Sequence, residues 1–218
     1  MVWNILNRSR KYQVSMSAFA TARETIESIT LLAYTAEAAE WDNRAHLRRI
    51  KGYTYSLFNA LGVARGEAEM LALACVLHDV GKSFTSDELL KRQGKYTAAE
   101  WQAMEQHTVD GEKLLRDSVS PILRMGATVA LTHHERWNGS GYPNGTIGTQ
   151  IPLSGRVCAL ADVFDALTTR RLYKEPIDLE EALALIRSSS GTLFDPSVVQ
   201  AFIKAQTEIL NIYKSRGE

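Results

Sequence analysis

An adjacent histidine and aspartate, His78 and Asp79, close an apolar run that begins at Leu73 and is followed by Gly81 and Lys82. A neutral imidazole beside a carboxylate is a mixed nitrogen and oxygen ligand set, which suits Fe, Mn, Ni or Zn. A lysine three residues further on is placed to bind a phosphate. Taken alone, the pair is more typical of a capped helix end, where the glycine would let the chain leave in a left-handed turn.

The other histidines of the chain, which has five in all, stand in comparable positions. His46 follows Asp42 by four residues, so the two share one helix face. His133 and His134 end a second apolar run, and Asp162 is a charge inside an apolar helix, where a carboxylate must be paired or bound to metal. The alternative is that all five histidines are core residues with hydrogen-bond partners of their own. Their consistent placement disfavours it. The candidate metal ligands are His46, His78, Asp79, His107, His133, His134 and Asp162, with Asp42 as a further candidate.

The elements that position these residues are predicted to be helices. Apolar residues recur near a 3.6-residue period, and Ser, Thr, Asp and Pro mark the helix starts. One helix is expected over 42–61 and a buried one over 66–79, while a capping box at 97–100 opens the helix that carries His107. Since no stretch alternates with period two for long enough to predict a strand, the fold class is all-α. We expect a multi-helix bundle with one long Gly-Tyr-Pro loop.

That loop, residues 136–152, is the longest irregular segment of the chain and is rich in glycine. Loops of this length in compact domains are usually functional or mobile. Tyr142 lies between Gly141 and Pro143, so its ring is presented by a backbone of restricted shape. The ring either contacts a substrate or anchors the loop to the core.

Composition excludes several classes of function. Lys plus Arg and Asp plus Glu are equal at 25 each, so no global field favours polymeric nucleic acid or a membrane surface. The only cysteines, Cys75 and Cys158, lie in apolar helices and form no disulfide framework, which favours a reducing cytoplasm. No run approaches the ~18 apolar residues of a membrane span, and no signal-peptide core is present at the N-terminus.

The spacing of the candidate ligands, together with Lys82 and the motif at 139–143, resembles the HD-GYP family. That family is a branch of the HD-domain metal phosphohydrolases that hydrolyse the bacterial second messenger cyclic di-GMP. The resemblance runs from about Glu37 to the final helix. It implies an HD-GYP phosphodiesterase domain over 37–218, preceded by an N-terminal helical extension over 1–36. The implied reaction is hydrolysis of cyclic di-GMP to linear pGpG, and on to GMP.

The resemblance also implies a centre of two divalent transition-metal ions, for which Fe or Mn is favoured and Ni or Zn is the alternative. One ion is expected to take His46, His78 and Asp162, and the other His107, His133 and His134. Asp79 is expected to bridge them, and a pair ~3.5–4 Å apart lowers the pKa of a water held between its ions. Ligands of this kind need partners that hold them in place. Glu135 and Asp165 are candidates for that role, and a surface or capping carboxylate is the equal alternative for each.

Four residues are expected to contact the substrate. Lys82 is expected to bind the scissile phosphate and to stabilise negative charge that develops in the transition state. Arg171 and Lys174 match a basic region of the family and are candidate phosphate ligands, because arginine offers a planar fork to phosphate oxygens. Tyr142 corresponds to the tyrosine that contacts the nucleotide in the family.

The chain departs from the family pattern at Asn138, where Asp is common, and at Thr108 and Leu172, where Pro is common, and none of these changes removes a predicted ligand. A fourth departure, Asp42, replaces a glutamate that helps to hold a third metal in some members. Aspartate is shorter by one methylene, so a third ion should be held weakly or not at all. The second hydrolysis should then lag, and pGpG should accumulate before GMP.

Other functions remain open at this point. Related cyclic dinucleotides, such as mixed cyclic GMP-AMP, are alternative substrates. An HD-type hydrolase of mononucleotides is the second enzyme hypothesis, and a cyclic-dinucleotide receptor or interaction module without turnover is the third. A homodimer or an upstream sensory or regulatory segment would be an additional partner.

Overall fold

The computed structural model describes residues 23–37, 43–170 and 175–215, and nearly all regular structure in them is helical. The helices are α1 (23–36), α2 (Asn43–Ala60), α3 (Arg65–Cys75), α4 (Asp87–Leu90), α5 (Ala98–Leu115), α6 (Pro121–Thr132), α7 (Leu153–Thr168), α8 (Leu179–Ser188), α9 (Pro196–Lys204) and α10 (Gln206–Lys214), with short 3₁₀ helices at Val80–Phe84 and Gly148–Gln150. Over the described ranges, extended segments meet only in isolated bridges. The predicted all-α fold is confirmed. In the same ranges, no helix has both the length and the apolar composition that crossing a membrane requires.

The main core fixes α2 and α7 against each other. Tyr53 of α2, Phe164 of α7 and Phe202 of α9 are buried, and their rings meet edge to face at centroid distances of 5.4 and 5.1 Å. Edge-to-face pairs add about 0.5–1.5 kcal/mol each to the burial of their apolar area. Because α2 carries His46 and α7 carries Asp162, this packing sets the distance between two candidate ligands that are far apart in sequence.

A second apolar cluster attaches α1 to α2 and α3. Ile29 and Ala33 of α1 are buried in the same cluster as Leu47 of α2, Leu73 of α3 and Leu77, which follows α3. The end of α1 is therefore held close to the His78-Asp79 segment. The division of the chain into 1–36 and 37–218 stays a prediction.

The segment around Asp79 differs from the prediction in two ways. The predicted helix over 66–79 ends at Cys75, and residues 76–78 continue with tighter bonds from each amide to the carbonyl three residues back. Gly81 lies in the 3₁₀ helix and is not among the glycines with positive φ, so the expected left-handed turn is wrong. A Cβ on Gly81 would lie 1.9 Å from the carbonyl oxygen of His107. The glycine is needed because the 3₁₀ helix packs directly on the α5 backbone.

Candidate metal centre

The structure brings the described candidate ligands together where α2, α3, α5, α6 and α7 meet. Asp79, His107, His133 and His134 form one group, and His46, His78 and Asp162 form a second; within each group the ligand atoms lie within 4.8 Å of one another. These groups coincide with the division between two ions that the sequence predicts. The assignment of each side chain as a ligand stays a proposal.

Backbone carbonyls fix the orientation of three of the imidazole rings. The acceptors are Cys75 for His78 at 3.1 Å, Met104 for His107 at 2.6 Å and Ala130 for His133 at 2.9 Å. A carbonyl oxygen only accepts, so each Nδ1 carries the hydrogen and donates it. In the neutral form of each ring, the lone pair is then on Nε2, which is the tautomer that a metal ligand on that side requires.

The atoms that face the centre are buried and unsatisfied. Nε2 of His78, His107 and His133 and Oδ1 of Asp79 have no hydrogen-bond partner within the described part of the chain. Burying such atoms without partners is costly, and most buried polar atoms in proteins are satisfied. Divalent cations accept electron pairs from imidazole nitrogen and from carboxylate oxygen alike. The residues present therefore fit a metal centre.

The Asp79 carboxylate lies between the two groups. Its Oδ1 is 3.1 Å from Nε2 of His107 and 3.6 Å from Nε2 of His133, whereas Oδ2 is 3.3 Å from Nε2 of His78 and 2.6 Å from Nζ of Lys82. Burial would raise the pKa of Asp79, but Lys82 and His78 hold it well below its usual value. Each oxygen of an ionised carboxylate thus faces a different group, as a bridging ligand requires.

The two groups differ in their electrostatics. Burial would lower the pKa of His78, yet Asp79 next to it raises that pKa to about 10. On the other side, burial lowers the pKa of His133 and, together with the neighbouring imidazoles, brings the pKa of His134 well below its usual value. Burial therefore favours neutral rings for the pair that follows α6, whereas the adjacent Asp79 favours the charged form of His78.

Asp165 holds His46 in place, as the sequence suggested. Its Oδ2 accepts from Nδ1 of His46 at 2.7 Å, and Oδ1 accepts from Nε of Arg49 at 2.6 Å. Burial would raise the pKa of Asp165, but the bonds from His46 and Arg49 lower it to about 2. The ionised carboxylate fixes the ring so that Nε2 faces the other ligands.

We expect Asp165→Asn to lower metal affinity by about 10–100-fold, because outer partners of ligating histidines have effects of that size. The amide cannot accept from both His46 and Arg49 with the strength of a carboxylate. Titration of the metal-free protein with Mn²⁺ measures the change. Asp117→Asn, at an exposed position, is the control, and equal affinities in the two variants would contradict the role of Asp165.

Glu135 binds the Gly-Tyr-Pro loop. Its carboxylate accepts from the backbone amides of Asn144 and Thr146, both at 2.9 Å. Of the two roles that the sequence left open for Glu135, these bonds favour a structural carboxylate over a partner of a metal ligand.

The loop places Tyr142 against the centre. The Tyr142 ring stacks on His134 at 4.7 Å with an interplanar angle of 28°, and its amide donates to the His134 carbonyl oxygen at 3.2 Å. A Cβ on Gly141 would lie 2.4 Å from the amide nitrogen of Arg136, so only glycine allows this close turn. The ring is half-buried, which leaves part of it for a ligand.

Sequence reasoning missed two residues at this site. Trp101, on the helix that carries His107, is 48% exposed, and its ring meets that of Tyr142 edge-on at 6.2 Å. Glu37 follows α1 and is buried beside His78, and burial raises the pKa of its carboxyl to about 7. A large aromatic residue near the start of a ligand-bearing helix was a visible signal, whereas nothing local marks Glu37.

Three predicted site residues lie outside the described ranges. They are Asp42, Arg171 and Lys174. Their roles toward a third metal and toward phosphate stay predictions.

Comparison with known proteins identifies the family. A family model described as an HD domain matches residues 27–198. A cyclic di-GMP phosphodiesterase of Thermotoga maritima is 41% identical over 188 residues, which cover 86% of this chain and 51% of that protein. The chain belongs to the HD-GYP branch of the HD-domain family. The predicted resemblance is confirmed.

Other relatives of this HD-GYP chain have related names. A 3'3'-cGAMP-specific phosphodiesterase of Vibrio cholerae is 38% identical, with 88% of this chain and 37% of that protein covered. A solved structure of a cyclic GMP-AMP specific phosphodiesterase of Vibrio cholerae shares the fold at a TM-score of 0.62 and 22% identity, covering 89% of this chain and 50% of that one. The chain thus spans about half the length, or less, of these proteins.

Proposed function

We propose that this HD-GYP chain is a metal-dependent phosphodiesterase that hydrolyses cyclic di-GMP to linear pGpG, and on to GMP, in bacterial signalling. The observation that carries the proposal is the buried cluster of unsatisfied ligand atoms arranged around both oxygens of Asp79. The name of the Thermotoga maritima relative supports cyclic di-GMP as the substrate. The name of the Vibrio cholerae relative makes mixed cyclic GMP-AMP the second candidate.

The proposed centre holds two divalent ions, with Fe or Mn preferred and Ni or Zn as alternatives. His46, His78 and Asp162 would hold one ion (the His46-side ion), His107, His133 and His134 would hold the other (the His107-side ion), and Asp79 would contact both. When bound, such a pair polarises a phosphoryl oxygen and lowers the pKa of water. The mixed nitrogen and oxygen ligand set supports this choice of metals.

The side chains around the centre suit a phosphodiester with attached bases. The ammonium of Lys82 lies next to Asp79 with its side chain 13% exposed, so it offers a cation to a phosphate in a partly desolvated site. Tyr142 and Trp101 form an aromatic wall that leads outward from His134. Nucleobases stack on such side chains. We assign the phosphate to Lys82 and one base to this wall.

We expect Trp101→Ala to raise KM for cyclic di-GMP with little change in kcat, because base stacking acts in ground and transition states alike. Loss of a stacked base costs about 1–3 kcal/mol, so KM should rise roughly 5- to 150-fold. Steady-state kinetics measure the effect, and Trp101→Phe, which keeps an aromatic face, is the matched control. An unchanged KM in Trp101→Ala would place the base elsewhere.

Incubation with cyclic di-GMP and Mn²⁺, followed by chromatography, tests the proposed reaction. Formation of pGpG supports it, and a time course shows whether GMP follows after a lag, as expected from Asp42. Binding without products would indicate a receptor. Turnover of mononucleotides that is indifferent to Trp101 and Tyr142 would favour the mononucleotide hydrolase.

A cytoplasmic location is part of the proposal. Cys75 and Cys158 are both free and buried, which suits a reducing compartment. A homodimer and an upstream sensory segment stay predictions.

A further inference from the structure

Glu37 is a buried carboxylate that the predicted ligand set leaves out. The residue is 1% exposed, and neither Oε1 nor Oε2 has a hydrogen-bond partner in the described ranges. The packing of Ile29, Ala33 and Ala36 fixes the helix that precedes it, so the carboxylate cannot easily turn to solvent. A carboxylate in such a place stays ionised only with a cation beside it.

The distances from Glu37 suit ligands of one ion. Its Oε2 lies 4.0 Å from Nε2 of His46, which is too far for a hydrogen bond. One ligand atom each from Glu37, His78 and Asp79 also lie within 4.8 Å of one another. Metal bonds to such atoms are about 2.1 Å long, so two ligands of one ion lie about 3 to 4.2 Å apart.

His78 decides which ion this is. Its Nδ1 donates to the carbonyl oxygen of Cys75, so Nε2 is the only atom it can give to a metal. His78 belongs both to the group with His46 and Asp162 and to the group with Glu37. Since one lone pair serves one ion, both groups surround the same ion.

We propose that Glu37 is a ligand of the His46-side ion. This inference rests on the metal centre of the proposed function and adds one protein ligand to that ion. The His46-side ion then has one more protein ligand than the His107-side ion. With fewer protein ligands, the His107 side, where Tyr142 stacks on His134, would be the side left for substrate oxygens.

The proposal alters the expectation for this corner of the site. Sequence reasoning looked for an extra carboxylate at Asp42, four residues before His46. Glu37 brings a carboxylate to the site from the end of α1, and its side chain is longer than that of Asp42 by one methylene. The extra ligand serves the His46-side ion, and no third ion is needed to satisfy it.

Metal binding by wild type, Glu37→Gln and Glu24→Gln tests this assignment. Glu24 is exposed on the same helix and is the matched control. The metal-free proteins are titrated with Mn²⁺, and bound ions are counted by elemental analysis after dialysis. We expect two ions in wild type and in Glu24→Gln. In Glu37→Gln, one ion should stay tight while the Kd of the other rises at least about 10- to 100-fold.

Thermal unfolding separates a ligand from a structural residue. Without metal, Glu37→Gln should be at least as stable as wild type, because neither carboxylate oxygen has a hydrogen bond in the described ranges for the change to remove, and a neutral amide costs less to bury than a carboxylate. With saturating Mn²⁺, its gain in Tm should be smaller than that of wild type, because stabilisation follows affinity. Glu37→Asp, which keeps the charge but loses reach, should show the same weak binding without the gain in metal-free stability.

If wild type binds two ions and both Glu37 variants bind Mn²⁺ with unchanged affinity, this inference is overturned and the proposed function still stands. A wild type that binds no metal would overturn the proposed function itself. A Glu37→Gln protein that is less stable than wild type without metal, and gains as much Tm as wild type with metal, would assign Glu37 a structural role.

Discussion

Asp79→Ala should lose bound metal and turnover together while the helical fold survives. The carboxylate lies between both groups of ligands, with Oδ1 facing His107 and Oδ2 facing His78. Its removal takes an oxygen from each ion at once. We expect kcat/KM for cyclic di-GMP to fall by at least about 10³-fold, which corresponds to roughly 4 kcal/mol of barrier. His78→Ala should have a similar effect on the His46-side ion.

Three measurements on one preparation decide this prediction. Elemental analysis gives the bound metal, chromatography of cyclic di-GMP products gives the rate, and circular dichroism gives the helix content. Asp117→Ala, at an exposed position, controls for the loss of a carboxylate as such. Full metal content and activity in Asp79→Ala would refute the central role assigned to this residue.

The helices were predictable because their signals are local. The capping box of Thr97 and Glu100 forms as expected, with the Thr97 amide donating to the Glu100 carboxylate at 2.8 Å. Aspartate is also a general signal for a helix start, and Asp178 and Asp195 cap α8 and α9. The histidines were informative because a buried imidazole or carboxylate at the end of an apolar run needs a partner, whatever the fold.

Features that depend on distant parts of the chain were missed. Gly81 is needed because it touches the α5 backbone, and nothing near residue 81 indicates that contact. Glu37 follows a helical pattern in which a glutamate is normally exposed; packing of α1 on α2 and α3 buries it. The sequence left two roles open for Glu135, whereas in the fold the loop amides set the direction of its carboxylate. Sequence shows that a group needs a partner, but only the fold shows which partner it has.

Lys82→Ala should keep its metal and lose rate. Nζ of Lys82 lies 2.6 Å from Oδ2 of Asp79, at the edge of the centre. An ammonium repels cations, so its removal should leave metal affinity equal or higher. A positioned cation that stabilises charge in the transition state is worth about 10²–10³ in kcat, and we expect a loss of that size. Lys91→Ala, which removes an exposed lysine of an ion pair with Asp87, is the matched control.

The comparison of metal content with kcat separates two roles for Lys82. If its task were only to hold Asp79 ionised for metal binding, Lys82→Ala would bind metal less tightly, and added Mn²⁺ would restore the rate. If it acts on phosphate, saturating Mn²⁺ restores nothing, because both ions are already bound. We expect the second result. Asp79, which would hold the metals, and Lys82, which would contact the phosphate, are three residues apart. The short segment that follows α3 would then supply both groups.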